Sequence, residues 1–331
     1  MEKKLFKKKN YWRNIDKHIL ISFSLLFILG ILFSFSSTSF LADERLNKSY
    51  YFFFQKHLLY AAVSFILMIF ISLLDTDLIN KSLFPIFLIF LVLLTLIPFI
   101  GVEVKGATRW LNFYIFRFQP IEFIKPFFIL IIAQIITSNW IKNLNFAYLI
   151  SFILLSFIVL LLIIQPDLGQ SVLLICTWIS LIFVSGVNFF FLSLISTFVI
   201  SILFISIYLA PEKFSYIVIR FSSFMDPSKS GNFQSQKATE AIRQGGLTGQ
   251  GMGEGILKES VPEAHTDYII AVVSEEFGSV ISVLIVGIFL FVAFRIIKKV
   301  INFSNNFYKI ALSGITSLLI FQVFIHVGVN A

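Results

Sequence analysis

The sequence predicts an all-α integral membrane protein, a polytopic helical bundle, and three observations carry that class. The 331 residues are 58% hydrophobic and only 13% charged, with a mean hydropathy of +0.91, whereas a soluble domain averages about 25% charged residues. The apolar residues fall in continuous runs of about 17–25, which suits bilayer-spanning helices and not the alternating strands of a barrel. The net charge of +8 is also uneven. Lys3, Lys4, Lys7, Lys8, Lys9, Arg13 and Lys17 crowd into residues 1–18, directly ahead of the first apolar run. A basic tail in that place is read as a cytoplasmic anchor rather than a nucleic-acid arm.

Candidate spans follow at 19–42, 57–74, 83–100, 122–138, 147–164, 170–185, 189–210, 268–294 and 308–330, about nine in all. The first run is too long for a signal-peptide core and has no small-residue cleavage site after it. With the N-terminus in the cytoplasm, the segment "FRIIKKVINFSNNFYK" (294–309), rich in Arg295, Lys298, Lys299 and Lys309, falls inside, as positive charge requires. The long loop 211–266, between spans seven and eight, then falls outside, and residues 19–331 form one membrane domain. A loop of that length is functional or disordered. Within it "QSQKATEAIRQGG" has helical periodicity with a glycine stop. Cys176 is the single cysteine, so no disulfide forms within the chain.

An ionisable side chain inside a bilayer costs roughly 2.5–3.5 kcal/mol on insertion scales unless paired or hydrated. Glu275 and Glu276 stand inside span eight and are read first as a structural pair held by a neighbouring cation. Glu122 and Lys125, spaced i to i+3 in "QPIEFIKP", share a helix face. They form an intrahelical pair, or Lys125 faces a cavity and binds an anion. Asp167 in "QPDLGQS" follows a helix-breaking proline and suits an N-cap. In the outer loop "EVKGATRWLNFYIFRFQP" (103–120), Lys105 and Arg109 are donors suited to phosphate. Trp110 offers an aromatic plate for a sugar face or for the membrane interface.

Arg243 and Lys258 add basic groups to the long loop. His265, Thr266 and Asp267 open span eight. Spacing alone favours a helix cap for Thr266 or Asp267, against a general base for Asp267. His265 reads as a hydrogen-bond partner, because no second His or Cys stands at metal-ligand spacing. The glycines of "GGLTGQGMGEG" lack the strand and spacing of a nucleotide loop and imply mobility or a backbone that approaches a ligand closely. Segments 103–120, 165–170 and 243–267 are expected to converge on a lipid-linked, anionic, sugar-bearing substrate.

The segments "KGATRWLNF", "FQPIEFIK", "QPDLG", "GGLTGQGMGEG" and "VPEAHTDYIIAVVSEEFG", in this order, resemble the signatures of the SEDS family (shape, elongation, division, sporulation), bacterial peptidoglycan glycosyltransferases. The glycine segment is more similar to the division branch than to the elongation branch. The resemblance implies about ten spans and a further outer loop beyond "FIHVGVN". It implies lipid II as substrate, and inverting attack of the acceptor GlcNAc 4-hydroxyl on C1 of the donor MurNAc, expelling undecaprenyl pyrophosphate. Asp267 matches the family's essential aspartate, which turns the reading of that residue from cap to base. Lys105, Arg109 and Lys125 would steady the pyrophosphate, Trp110 matches a tryptophan the family needs for activity, and Glu122, Asp167 and Glu276 match recurrent polar positions. No metal ligand set is evident, while a divalent cation, Mg or Mn, is compatible with the chemistry. The implied partners are a class B penicillin-binding transpeptidase and divisome membrane proteins, at the septal inner membrane. A lipid II flippase, an elongation-type polymerase and a non-catalytic division scaffold are the competing readings. Polar groups gathered at one face favour the enzyme over a transporter, whose polar groups would line the midplane.

Overall fold

The computed structural model describes residues 15–46, 51–104, 107–113, 116–141, 143–188, 233–257 and 267–330, with isolated positions between 190 and 208. The basic residues ahead of 15, most of the seventh expected span, and Lys105, Lys258 and His265 lie outside the described residues.

Ten helices and one small sheet follow along the described chain: α1 (Lys17–Leu46), α2 (Phe52–Leu73), α3 (Thr76–Ile100), β1 (Val102–Val104), β2 (Ala107–Phe113), β3 (Phe116–Phe118), α4 (Pro120–Ile136), α5 (Leu144–Ile164), α6 (Leu168–Val184), α7 (Phe233–Gly245), α8 (Ile269–Phe277), α9 (Ser279–Val300) and α10 (Asn306–Asn330). Among the described residues, six helices are long and apolar enough to cross a membrane: α1, α2, α3, α5, α9 and α10. The chain is a multi-pass helical membrane protein.

Two features differ from the sequence reading. Residues 102–118 form a three-stranded antiparallel meander, β1–β2–β3, rather than an irregular loop. Alternation over so few residues, flanked by long apolar helices, is too short a signal to separate from a loop. The expected eighth span is also two helices. Gly278, at φ 87° and ψ 162°, ends α8 after nine residues, and α9 starts at Ser279. Glu275 and Glu276 therefore close a short helix instead of lying inside a continuous span.

Two compact units are present. One comprises residues 1–76, 221–295 and 323–331, the other residues 77–220 and 296–322. In the first, Asp16 starts α1 by accepting the N–H groups of His18 (3.0 Å) and Ile19 (3.3 Å) through Oδ1. Its Oδ2 accepts from Arg295 Nε of α9 at 3.0 Å. In the second unit, α4 begins with Pro120, whose missing N–H costs nothing in the first turn. Ile121, Ile124, Phe128, Ile129 and Ile132 of α4 are fully buried. α5 starts on an Asn143 cap that accepts the Asn145 N–H at 3.0 Å. Trp178 of α6 donates to Ser151 of α5 at 3.1 Å, and Ser185 bonds the Tyr148 hydroxyl at 3.1 Å, so the polar groups of this core are paired across helices.

Candidate functional site

The residues singled out by sequence fall in two places, one in each unit. In the second unit, β2, the start of α4 and the α5–α6 break bring four charged side chains together. Arg109 on β2 donates from Nε to the Gln165 carbonyl (3.4 Å) and from Nη2 to the Pro166 carbonyl, and its Nε stands 3.7 Å from Asp167 Oδ2. Asp167 sits at the N-cap position of α6, yet its side chain makes no capping hydrogen bond. The carboxylate faces Arg109 instead and accepts weakly from Gln119 Nε2 at 3.4 Å. Asp167 thus holds the N-cap position the sequence predicts, with an ion pair to Arg109 added to it. Burial raises the Asp167 pKa above the ordinary carboxylate value, and Glu122 adds to the rise; Arg109, the Gln170 backbone N–H and Lys125 pull against it.

Below this pair, Lys125 Nζ lies 2.6 Å from Glu122 Oε2 on the same face of α4, as the i to i+3 spacing requires. The other Glu122 oxygen accepts from Gln170 Nε2 at 2.8 Å. The Lys125 side chain is 2% exposed and that of Glu122 39%. Lys125 is therefore placed to hold Glu122, and not to reach an anion in a cavity. Arg109, with its side chain 26% exposed, is the accessible cation of the cluster. Trp110 is half-buried beside it on β2, paired in register with Val102. Sequence reasoning missed Gln119 and Gln170. Both stand inside the quoted motifs, but an uncharged amide beside a proline carries no signal of its own.

In the first unit, α7 and α8 pack through Ala238, Ala241, Tyr268, Ala271 and Val272, all buried, with Ile242 and Leu257 against them. Small side chains on α7 allow the close approach. The glycines between the two helices continue it as backbone on backbone. Gln250 N donates to the Glu275 carbonyl (2.9 Å), Gly251 N to the Glu276 carbonyl (3.0 Å) and Ser279 N to the Gly246 carbonyl (3.0 Å). The last carbonyls of α8, which a helix end leaves unpaired, are thus capped by the glycine loop. A Cβ on Gly249 would stand 2.5 Å from the Glu276 carbonyl carbon, and one on Gly278 2.6 Å from that of Leu247. Real side chains do not fit there. The close approach expected of these glycines is made to the chain's own α8.

Glu275 and Glu276 are 0% and 1% exposed. Glu275 Oε1 accepts the Leu257 N–H at 2.7 Å, and a Cβ on Gly255 would come within 3.0 Å of its carboxyl carbon. Glu275 thereby ties residues 255–257 down onto α8. Asp267 stands at the other end of α8, exposed, one residue ahead of the N-cap position, which Tyr268 occupies. Arg243 is exposed in the last turn of α7. Among the described residues no group of three or more His, Cys, Asp or Glu is close enough to hold a metal. Glu122 and Asp167 are already engaged by Lys125 and Arg109, so this cluster does not fit a divalent cation, and no step is drawn through one.

A polytopic helical fold with paired charges at helix breaks and a glycine-clamped pair of buried glutamates defines a membrane-embedded protein built around polar chemistry. The profile of the Cell cycle protein family (FtsW, RodA, SpoVE) matches residues 16–331. The chain is 33% identical over 324 residues to the probable peptidoglycan glycosyltransferase FtsW of Caulobacter vibrioides, covering 97% of this chain and 81% of that protein. To the stage V sporulation protein E of Bacillus subtilis it is 31% identical over 327 residues, covering 95% and 87%. Its fold is similar to a chain solved in a study of the structural coordination of polymerization and crosslinking by a peptidoglycan synthase complex, with TM-score 0.74 and 21% identity, over 96% of this chain and 88% of that one. It is also similar to the rod shape determining protein RodA of Thermus thermophilus, with TM-score 0.66 and 20% identity, over 96% and 86%. The chain belongs to the SEDS family, the FtsW/RodA/SpoVE cell cycle proteins.

Proposed function

We propose that this chain is a peptidoglycan glycosyltransferase that polymerises lipid II for septal wall synthesis, with Asp267 as its general base. The names of its FtsW relatives support the activity, and the glycine segment supports the division branch. The observation that carries the residue assignment is the placement of Asp267. It is exposed at the start of a short helix whose far end is locked by backbone contacts to the glycine loop and by Glu275. A base must present its carboxylate to a substrate hydroxyl and hold it still.

The acceptor GlcNAc 4-hydroxyl gives its proton to Asp267 as its oxygen bonds to C1 of the donor MurNAc. The C1–O bond to the lipid pyrophosphate breaks with inversion, and the electron pair leaves with the pyrophosphate. The resemblance assigns Arg109 to that leaving group, and a guanidinium pre-oriented by two carbonyls and a carboxylate suits the task. Lys105, Lys258, His265 and Arg243 are further candidates for the anionic substrate. Lys125, Glu122 and Asp167 hold the first cluster in place. The proposed partner is a class B penicillin-binding transpeptidase acting with divisome proteins, and the N-terminus is assigned to the cytoplasm.

The test is lipid II polymerisation by the purified chain with its transpeptidase. Asp267→Asn is expected to lower strand formation by about 10²-fold or more at unchanged folding. Wild-type strand formation by that variant would overturn the base assignment.

A further inference from the structure

The β2–β3 hairpin has two chemically distinct faces. Its register pairs Leu111 with Phe118, Asn112 with Arg117 and Phe113 with Phe116. Side chains alternate along a strand and cross-strand partners share a face. Leu111, Phe113, Phe116 and Phe118 therefore stand on one side, and Asn112 and Arg117 on the other. Phe113 and Phe116 are 47% and 45% exposed.

The apolar side does not end at the sheet. Phe113 stacks on Phe116 (5.6 Å) and meets Phe118 edge-on (6.3 Å); Phe118 stacks on Phe123 of α4 (4.8 Å). Phe123 stacks on Phe90 of α3 (5.1 Å), which reaches Phe127 of α4 at 5.9 Å. This ring ladder runs from the hairpin onto a helix long and apolar enough to span a membrane, whose Leu88, Ile89 and Val92 are exposed on the same stretch of helix. The hairpin's apolar face is thus continuous with the apolar surface of a candidate membrane span.

We propose that the β2–β3 hairpin lies in the headgroup-to-acyl boundary of the phospholipid leaflet at this end of α3 and α4. Its phenylalanine face enters the lipid, while Asn112 and Arg117 face the headgroups and water. The arrangement is the strand counterpart of an interfacial amphipathic helix, with aromatic side chains at the depth they favour. The consequence for the site is one of height. Arg109 is on the same strand and, by the same alternation, the same side as Phe113, four residues away, so the seating of the rings sets the level of its guanidinium relative to the bilayer.

Spin labels test this. Cys176 is the sole cysteine, so a Cys176→Ser background accepts single labels at Asn112→Cys, Phe113→Cys, Phe116→Cys and Arg117→Cys. The full chain is reconstituted in phosphatidylethanolamine–phosphatidylglycerol vesicles, and collisions with oxygen and with a water-soluble nickel chelate are compared. Labels at 113 and 116 are expected to favour oxygen, at about 5–10 Å below the phosphates, and those at 112 and 117 to favour nickel. Nickel dominance at all four sites would overturn the proposal by placing the hairpin in water. Exclusion of both reagents at 113 and 116 would overturn it as well, by showing protein there. A Phe116→Trp chain guards against disturbance by the labels: acyl-brominated lipid should quench its added fluorescence, and unquenched emission would refute lipid contact.

Discussion

Replacing Gly278 by alanine tests whether the glycine loop and α8 are one locked element. Gly278 has φ 87° and ψ 162°, a region essentially reserved for glycine, where another residue costs on the order of 1–3 kcal/mol. Its new Cβ would also stand 2.6 Å from the Leu247 carbonyl carbon and 2.7 Å from the Gly249 nitrogen. Both neighbours are backbone, so neither can rotate away, and overpacking of this kind adds about 1–3 kcal/mol. The sum, about 2–6 kcal/mol, is a large share of the roughly 5–15 kcal/mol that holds a domain together. Thermal unfolding of the detergent-solubilised chain should show a midpoint lowered by about 5 °C or more, with loss of strand formation. Gly287→Ala is the control: it lies within α9, and a Cβ there meets nothing within 4 Å, so its midpoint should hold or rise. A Gly278→Ala chain that unfolds within about 1 °C of wild type would refute the packing argument.

The pair on α4, with Lys125 buried and Glu122 39% exposed, should respond asymmetrically. Glu122→Gln leaves the buried Lys125 ammonium without its carboxylate and is expected to cost about 1–3 kcal/mol, whereas Lys125→Met removes the buried charge itself and should cost less; equal losses in denaturant or thermal unfolding would contradict this. Asp167 supplies a pH signature. Because its pKa is raised in the folded chain, the folded state holds this proton to higher pH than the unfolded one. The associated stability is complete below about pH 4 and is lost as pH rises through the folded value. Asp167→Asn should flatten that part of the midpoint-against-pH curve, and an unchanged curve would count against the burial of this carboxylate.

Much of this architecture was legible in the sequence because the bilayer imposes it. Long apolar runs can only be helices, and charges inside them are scarce enough to be read one by one. Glu122 and Lys125 were found that way, Asp167 at a helix break and Arg109 in the outer loop, and the structure brings the four together. What escaped was geometry that depends on tertiary contact. Asp167 follows a proline and holds the N-cap position, but nothing local shows that Arg109, 58 positions earlier in the chain, also pairs with its carboxylate. The break at Gly278 was hidden because a single glycine in an apolar run is tolerated in a helix; only the approach of Leu247 and Gly249 makes it a terminus. The meander of residues 102–118 was read as a loop, since Phe116–Phe118 is a strand of three residues whose partner in β2 sets its register. In "GGLTGQGMGEG" the glycines suggested close approach, without revealing that the approach is to α8.

The bond between Arg295 and Asp16 spans 279 positions, and that separation has a meaning in time. At roughly 5–20 residues per second of synthesis, the start of α1 waits roughly 15–55 s for its arginine. The first helix is thus inserted early but fastened late, by a residue near the end of α9. A ribosome that stalls before Arg295 would leave an amino-terminal helix whose buried carboxylate still lacks that cation, a state a membrane protease could distinguish from the finished protein.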